Sequence, residues 1–428
     1  MIEHATPSHA ILTQREQARV WNEWLSERVR TILPRVMRRE GIDMWVVSAR
    51  EYNEDPVLMT LLPAPVMSAR RRTILVFHAP EDGAFEALAI ANAGIGLDHP
   101  YRPVWDKPQT GLAAESQEEC LRRVIAERDP QRIGINTSTT FAFGDGLSHT
   151  DYEHLLNALG PELASRTVSA QNVAVGWLEA RLPAELAASE TNNHIAHSII
   201  AQAFSPAVIQ PGVTRASDVA WWMRERTTSL GLSNWFHPSV SIQRKGEDLG
   251  PMGFTPDEVI MPGDLLHCDF GLHYLRLATD TQQNAYVLRT GESAEPEGLR
   301  EAVKRANRQQ DLLAKEMVAG RTGNEILHLA LTAMRAEGIE GRIYTHPIGF
   351  HGHGAGPMIG RYDNQEGLPG TGDYLLHDDT LFSFEMYTEA PLAQWDDQVV
   401  RIATEQIVAF TNGKISYLGG RQEQLHLI

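Results

Sequence analysis

The sequence predicts two domains, an α/β domain followed by a larger domain of helices and strands. Residues 14–39 carry charged and aliphatic side chains at helical spacing. Apolar runs between polar segments are typical of strands, and they occur at 41–49, 71–79 and 132–138. A long helical pattern at 182–204 then begins the second domain. We therefore expect domains at residues 1–180 and 181–428.

Two segments of the second domain resemble each other, at 208–232 and 317–339. Each contains a glycine turn (Gly212 and Gly320), a threonine suited to cap a helix, and an amphipathic helix. Thr322 also begins a capping-box pattern. An internal duplication and two unrelated helices that begin alike are both compatible with this likeness.

The composition excludes several classes of protein. Acidic residues outnumber basic ones by 55 to 38, giving a formal charge of -17, and such a surface repels nucleic acid. No apolar run approaches the roughly 20 residues of a membrane span, and the first residues lack a secretory signal pattern. The two cysteines, Cys120 and Cys268, exclude a disulfide framework. We therefore expect a cytoplasmic protein that acts on a small molecule.

A cluster of three histidines and four glycines lies at residues 345–356, THPIGFHGHGAG. Alone, it is compatible with a metal or catalytic site and also with a glycine-rich turn that carries solvated imidazoles. Carboxylates elsewhere in the chain distinguish the two, because a metal site needs further ligands.

Two aspartates lie in a segment with a strand pattern at each end. If the segment forms a hairpin centred on Tyr274–Leu275, Asp269 faces Asp280 with their Cβ atoms roughly 5 Å apart. Two carboxylates so placed repel each other, and a divalent cation between them removes the conflict. Two solvated aspartates on an exposed face are the alternative, which apolar neighbours on that face disfavour.

Two glutamates follow the histidine cluster within apolar strand patterns. Glu385 lies at the end of one predicted strand, and Glu405 lies inside another, with Arg401 and Ala403 on its face. Burying an unpaired charge is unfavourable, so each glutamate needs a partner. With the two aspartates they carry four negative charges, which two divalent metals would balance. Such a metal pair lowers the pKa of a bound water.

The order Asp, Asp, His, Glu, Glu resembles the ligand set of the pita-bread metallohydrolases, which include methionine aminopeptidase, Xaa-Pro aminopeptidase, prolidase and creatinase. The spacing of the two aspartates also matches that family. The resemblance covers residues 182–428 and implies an α+β pita-bread catalytic domain with a pseudo-twofold internal repeat. Residues 1–180 resemble the accessory α/β domain of the prolidase and creatinase branch, which implies a homo-oligomer, a dimer or higher.

The resemblance also implies a role for each ligand. The implied metal ligands are Asp269 on one metal, Asp280 and Glu405 bridging both, and His353 and Glu385 on the second. Glu385 would in addition carry a proton from water to the leaving nitrogen. His353 is preferred over His351 because GHGAG is similar to the family's His-x-x-Gly segment, although His351 also fits. On a strand the two histidines would share a face, which leaves His351 either to hold a metal ligand in place or to bind substrate.

The implied cofactor is one or two divalent metal ions. Mixed carboxylate and histidine ligands suit manganese first, and also cobalt, iron or zinc.

Five positions depart from the peptidases of this family. Gly360 stands seven residues after His353, where a second histidine is usual, and Met252 stands where another histidine precedes the first aspartate. Gln282 replaces the threonine of Asp-x-Thr, and Met386 and Tyr387 follow Glu385 where proline and glycine are usual. The departures leave the metal ligands intact and remove part of the shell that handles a peptide.

The sequence therefore favours an aminohydrolase of a small non-peptide, such as an aryl amine of the 5-nitroanthranilate type whose breakdown releases ammonia. The expected substrate-binding residues are His351, Gln282, Arg401 and Tyr387. Arg401 is equally compatible with a role in balancing the acidic site. The alternative is an Xaa-Pro dipeptidase or aminopeptidase. A non-enzymatic binding protein is disfavoured because all five ligands are present.

Overall fold

The computed structural model describes residues 11–92, 94–105, 115–247 and 257–428. It contains two compact units, which meet in the chain between Leu182 and Pro183. The predicted domains, 1–180 and 181–428, divide the chain two residues before this point. Within the described residues, no helix has the length and apolar character that crossing a bilayer requires.

The first unit is a mixed sheet with helices. Its helices are α1 (Gln14–Arg39), α2 (Pro56–Leu61), α3 (Gln117–Ala126), α4 (His149–Ala164) and α5 (Gln171–Glu179). Its strands are β1 (Met44–Arg50), β2 (Arg72–His78), β3 (Glu86–Ile90), β4 (Arg102–Pro103), β5 (Ile133–Ile135) and β6 (Thr167–Ser169). They follow the order β4-β3-β2-β1-β5-β6, and β1 runs antiparallel to β2 and parallel to β5. The helix predicted at 14–39 and the three predicted strands are confirmed.

Local sequence explains two of these elements. Thr13 caps α1, because its hydroxyl accepts from the Glu16 amide while the Glu16 carboxylate accepts from the Thr13 amide. Strand β1 is central and is therefore apolar on both faces, so that Met44 and Val46 pack in one cluster with Leu121 of α3.

The described residues of the second unit form four α-helices, α6 (Pro183–Ala203), α7 (Ala216–Ser229), α8 (Glu297–Glu316) and α9 (Gly323–Ala336). Its first strands are β7 (Ser233–Asn234), β8 (Ser239–Gln243), β9 (Leu265–Phe270), β10 (Leu272–Tyr274), β11 (Leu277–Ala278) and β12 (Thr281–Tyr286). The later ones are β13 (Glu340–Pro347), β14 (Thr380–Leu392), β15 (Gln398–Thr404), β16 (Ile407–Thr411), β17 (Lys414–Tyr417) and β18 (His426–Leu427).

These strands form three sheets in the described part of the unit. The orders are β11-β10-β7, β18-β12-β9-β8 and β13-β14-β16-β17, with β15 paired to β14. Helices α8 and α9 cover β14, since Leu313 and Ile326 pack in one buried cluster with Phe382 and Phe384. This arrangement brings β9, β12 and β14 toward a common cavity.

The two similar segments adopt the same local structure. Gly212 and Gly320 have φ angles of 83° and 85°, in the left-handed region that favours glycine. The Gly212 amide donates to the Ile260 carbonyl at 2.8 Å, and the Gly320 amide donates to the Leu376 carbonyl at 2.9 Å. A helix pair precedes strands in each half, α6 with α7 and α8 with α9. This correspondence agrees with an internal repeat.

The helix caps of the two halves differ. Thr322 caps α9 and forms the predicted capping box with Glu325. The threonine of the first half does not cap α7, because the N-cap residue is Arg215. The Asp218 carboxylate accepts from the Arg215 amide at 2.8 Å and stabilises that helix start instead.

The predicted hairpin register is wrong by two residues. Leu275 and Arg276 both have positive φ angles, 52° and 60°, so the turn is centred one position later than expected. Asp269 consequently faces Gln282 rather than Asp280. Side chains alternate with a period of two along a strand, so this shift keeps the side of the sheet toward which each residue points.

The surroundings of both glutamates also differ from expectation. Glu385 lies in the middle of the thirteen-residue strand β14 rather than at its end. Glu405 lies between β15 and β16 and forms an isolated bridge with Gln282 of β12. The longer strand β14 contacts β13, β15 and β16 along its length, and this fixes Glu385 between three neighbouring strands.

Candidate metal centre

A cavity of about 700 Å³ opens in the second unit beside β9, β12, β13 and β14. All four predicted carboxylate ligands line it, together with aromatic side chains and two arginines. The aromatic residues on its wall are Trp235, Phe236, Tyr344, Tyr362 and Tyr387. The cavity therefore has an acidic region and an aromatic, partly cationic region.

The four carboxylates converge although they are distant in the chain. Asp269 comes from β9, Asp280 directly precedes β12, Glu385 comes from β14 and Glu405 follows β15. Ligand oxygens of Asp269, Asp280 and Glu405 all lie within 4.8 Å of one another. Asp280 and Glu405 are almost fully buried, at 4% and 1% exposure, so solvent does not disperse their charges.

His346 joins this group, and the sequence interpretation missed it. Its Nε2 atom lies 3.4 Å from Glu405 Oε1, 3.7 Å from Asp280 Oδ2 and 3.9 Å from Glu385 Oε2. The signal that could have found it is strand alternation on β13, because Arg342 and Tyr344 line the cavity and His346 continues the same face.

His353 lies next to His346 rather than among all the carboxylates. The two imidazole rings are 4.8 Å apart, and His353 groups with Asp280 and His346 as potential ligands. Trp235 contacts the other side of His353 at 5.2 Å between ring centroids. Gly352 permits this approach, because a Cβ there would lie 2.2 Å from the Trp235 ring.

We expected His351 and His353 to share a face of one strand, and this prediction is wrong. Strand β13 ends at Pro347, and residues 351–353 lie in a bend. His351 is also absent from the residues that line the cavity. Its proposed contact with substrate therefore has no geometric support in the described residues.

The acidic cluster is unfavourable without cations. Burial, and next the charge of the neighbouring Glu405, raise the pKa values of Asp280 and Glu385 well above the ordinary range, and the same causes act on Asp269. Asp269 Oδ1, Asp280 Oδ1 and His346 Nε2 are buried atoms without a hydrogen-bond partner. Buried polar atoms normally have partners, so unpartnered oxygen and nitrogen atoms in one space fit divalent metal ions.

Gln282 interacts with the cluster instead of the open cavity. Its amide nitrogen donates to Glu385 Oε1 and to Glu405 Oε2, each at 3.0 Å. Its amide oxygen lies 2.8 Å from His267 Nε2. Gln282 was expected to bind substrate, and all its polar atoms are engaged by protein groups here.

Arg401 and Tyr387 lie together on the cavity wall. The Arg401 guanidinium lies 4.3 Å from the centre of the Tyr387 ring and donates to Glu389 Oε1 at 2.7 Å. Arg401 was also compatible with balancing the charge of the acidic site. Its carboxylate partner, Glu389, lies outside the acidic cluster. Their predicted contact with substrate remains a prediction that this position on the wall permits.

Gly360 has a backbone that no histidine side chain fits. Its φ angle is 72°, and a Cβ atom there would lie 2.3 Å from the Ile343 carbonyl oxygen. The next side chain to reach the cavity from this segment is that of Tyr362. The position of Met252, the other departure from the family pattern, lies outside the described residues.

One family pattern matches the chain, that of metallopeptidase family M24, over residues 192–411. The match spans slightly more than half of the sequence and includes all four predicted carboxylate ligands. No curated protein gives a match.

Solved structures share the fold over nearly the whole chain. An X-Pro aminopeptidase from Thermotoga maritima has a TM-score of 0.64 at 16% identity, over 92% of this chain and 100% of its own. An Xaa-Pro dipeptidase from Bacillus anthracis has a TM-score of 0.60 at 17% identity, over 97% and 100%. The N-terminal domain of the FACT complex subunit SPT16 from chickpea has a TM-score of 0.51 at 12% identity, over 97% and 98%. The predicted fold, an α/β domain followed by an α+β pita-bread domain, is confirmed.

Proposed function

We propose that this chain, which belongs to metallopeptidase family M24, is a divalent-metal-dependent hydrolase and breaks a C–N bond. The observation that carries the proposal is the convergence of four carboxylates and two histidines beside one cavity, where Asp269 Oδ1, Asp280 Oδ1 and His346 Nε2 have no hydrogen-bond partner. A purely structural cluster would have these atoms paired, since burying unpaired charge is unfavourable.

The residues that would hold the metal are the four predicted carboxylates together with His346 and His353. Four carboxylates balance the charge of two divalent ions. Divalent ions at such a site lower the pKa of water and polarise the bond that is attacked. Manganese is our first expectation, because oxygen ligands outnumber nitrogen ligands here.

Glu385 is the proposed carrier of the proton. It is only partly buried, it faces the cavity, and Gln282 holds its Oε1 atom. Its Oε2 atom accepts no hydrogen bond from Gln282 and would take a proton from the attacking water and deliver it to the leaving nitrogen.

The structural neighbours favour the peptidase alternative over the aminohydrolase that the sequence favoured. Two of them are titled X-Pro aminopeptidase and Xaa-Pro dipeptidase, and they align over nearly the entire chain. We therefore propose an Xaa-Pro peptide as the first substrate class. The aminohydrolase of a small aryl amine remains a second candidate, which the absence of any side chain at Gly360 supports.

Product analysis separates the two substrate classes. Manganese-loaded protein is incubated with Ala-Pro, Ala-Pro-Ala and 5-nitroanthranilate, and proline and ammonia are measured. Proline release supports a peptidase and rejects the aminohydrolase, whereas ammonia release from the aromatic does the opposite. Glu385→Ala is the control, and turnover at the rate of the unaltered protein would reject the proposed mechanism.

Two further expectations accompany the proposal. We expect the protein to be cytoplasmic and to form a homo-oligomer, a dimer or larger. Sedimentation velocity of the purified protein measures the assembly, and a monomer across the micromolar range would contradict that expectation.

A further inference from the structure

Gln282 links the two glutamates of the cluster through a single amide. Its Nε2 atom donates to Glu385 Oε1 and Glu405 Oε2, and both distances are 3.0 Å. Its backbone also forms a bridge with Glu405, with the Gln282 amide donating to the Glu405 carbonyl at 3.2 Å. Main chain and side chain thus connect β12 to the segment that carries Glu405.

The chemistry of an amide fixes the orientation of this link. The amide nitrogen has two hydrogens, and both are directed to carboxylate oxygens. The amide oxygen therefore faces His267, whose Nε2 atom is 2.8 Å away and must carry a proton to donate to it. His267 Nδ1 is then left as an acceptor, and the Ser241 hydroxyl lies 3.3 Å from it. A reversed amide would direct its oxygen at two carboxylates.

The link leaves the remaining oxygens of the glutamates in defined directions. Ser383 donates to Glu405 Oε1 at 2.7 Å, so both oxygens of that carboxylate are oriented by neighbours. Glu385 is held through Oε1 alone, and its Oε2 faces His346. Hydrogen bonds to groups outside the ligand set commonly fix how ligands point at a metal.

We infer that Gln282 and His267 are positioning residues that set the orientation of Glu385 and Glu405 for metal binding and proton transfer. This inference rests on the proposed metal-dependent function. It assigns Gln282 a role different from the substrate contact expected from the sequence. It also assigns His267 a role, although that residue matched none of the predicted ligands.

The chain contains a matched control on the opposite side of the same strand. Gln283 is buried like Gln282, at 6% and 4% exposure, and its Oε1 atom lies 2.6 Å from His426 Nε2. Each glutamine thus interacts with a histidine ring, Gln282 with His267 and Gln283 with His426. Only Gln282 contacts the acidic cluster, because neighbouring residues of a strand point to opposite faces.

The experiment compares Gln282→Met with Gln283→Met. Methionine is unbranched and similar in length to glutamine, so each variant removes the amide and retains most of the volume. Metal-free protein is titrated with Mn²⁺ by calorimetry, and the visible absorption of bound Co²⁺ reports the geometry of the ligands. We expect Gln282→Met to weaken Mn²⁺ binding about 10- to 100-fold and to change the Co²⁺ spectrum. Gln283→Met should bind both ions as the unaltered protein does.

A second pair of variants covers the case in which Gln282→Met does not fold. His267→Phe should weaken Mn²⁺ binding in the same direction, because the amide loses the partner that fixes its orientation. His426→Phe is its control and should leave binding unchanged. The ratio of kcat to KM effects adds a further test, since misplaced glutamates lower kcat more than they raise KM.

Three outcomes would overturn the inference. If Gln282→Met binds Mn²⁺ with the affinity of the unaltered protein and gives the same Co²⁺ spectrum, the inference is overturned. Equal weakening by both methionine variants would also overturn it, because the effect would then be general destabilisation. Failure of the unaltered protein to bind Mn²⁺ or Co²⁺ is a different result, and it would reject the proposed function together with the inference that rests on it.

Discussion

Asp55 in the first unit and Asp280 in the second are both buried carboxylates, with 0% and 4% exposure, yet their surroundings differ. Asp55 Oδ1 accepts from the Val57 amide at 2.7 Å, and Oδ2 accepts from the Asn136 side chain at 2.7 Å. Asp280 Oδ1 has no partner, and the charges of three other carboxylates, Asp269, Glu385 and Glu405, act on Asp280. Burial alone therefore does not identify a functional acid. A functional acid is identified here by buried oxygens that have no hydrogen-bond partner and lie among other negative charges.

The difference has a physical cause. Asp55 caps α2 and completes a chain that continues through Asn136 to the Trp45 indole, so every polar atom has a partner. Burial raises the pKa of Asp55, and its hydrogen bonds partly oppose that rise. Burial and the Glu405 charge both raise the pKa of Asp280. The first carboxylate stabilises its surroundings, and the second requires a cation.

The largest expected effect is that of Asp280→Asn. This change removes one charge from the repelling cluster and one metal ligand. We expect Mn²⁺ affinity to fall by about 100-fold or more, measured by calorimetry. We also expect the metal-free protein to gain about 1 kcal/mol in free energy of unfolding, measured in urea. A less stable metal-free variant would contradict the repulsion on which the comparison depends.

Asp55→Ala should have the opposite pattern. It removes the cap of α2 and the acceptor of Asn136 Nδ2, so we expect the free energy of unfolding to fall by about 2 to 4 kcal/mol. Mn²⁺ affinity should stay unchanged, because Asp55 belongs to the first unit and its hydrogen-bond partners are Val57, Leu58 and Asn136, none of which is a proposed ligand. A fall in metal affinity larger than threefold in this variant would show that the two carboxylates do not differ in role.

A partly buried histidine extends the comparison to pH. His197 in α6 has an unpartnered Nε2 atom, and burial lowers its pKa to about 4. Between pH 6.5 and pH 4 the unfolded chain binds a proton that the folded chain does not, so stability falls as pH falls through this window. The loss at pH 4 is about 3 kcal/mol, and His197→Gln should remove it.

Urea unfolding at pH 7 and pH 4.5 measures this effect. The exposed His154 provides the control, because it is not among the groups that act on His197, and His154→Gln should keep the pH dependence of the unaltered protein. If His197→Gln retains the full difference between the two pH values, burial of this imidazole is not its source.

The smallest expected effect concerns a satisfied group at the surface. Thr322→Ala removes one partner of the capping box of α9, and we expect a loss of about 1 kcal/mol in free energy of unfolding. Thr332→Ala in the same helix is the control, because its hydroxyl donates only to the His328 carbonyl within the helix. Equal losses in the two variants would show that the cap contributes nothing special.

Much of the fold follows from local patterns. Helix α1 has the predicted bounds, 14–39, because a capping threonine begins it and Gly41, with a φ angle of 63°, follows its end. The hairpin of the second unit was predicted in the wrong register. Its turn lies at Leu275 and Arg276 because both residues adopt the left-handed backbone conformation. Residues other than glycine, asparagine and aspartate seldom do so, and the sequence carries no sign of it.

The acidic part of the site was predictable, and its immediate surroundings were not. The four carboxylates were found because acidic residues within apolar strands need partners. His346 was passed over because a motif comparison directed attention to His351 and His353. Gln282 was expected to contact substrate because the sequence does not show that it lies beside Glu385 and Glu405. That proximity depends on the pairing of distant strands. Pairings between distant strands determine these contacts, and local sequence patterns do not encode them.

The backbone at Gly360 restricts how the substrate range of this chain can change. In most enzymes a pocket residue can be exchanged for another by one codon, and selectivity can shift in single steps. Here the Ile343 carbonyl occupies the space that a new side chain would need. Any variant that acquires a histidine at this position must first reroute the segment that leads to Tyr362. Directed evolution toward the usual peptidase surroundings would therefore require insertions or coupled changes in this loop, and libraries of point mutations would not reach it.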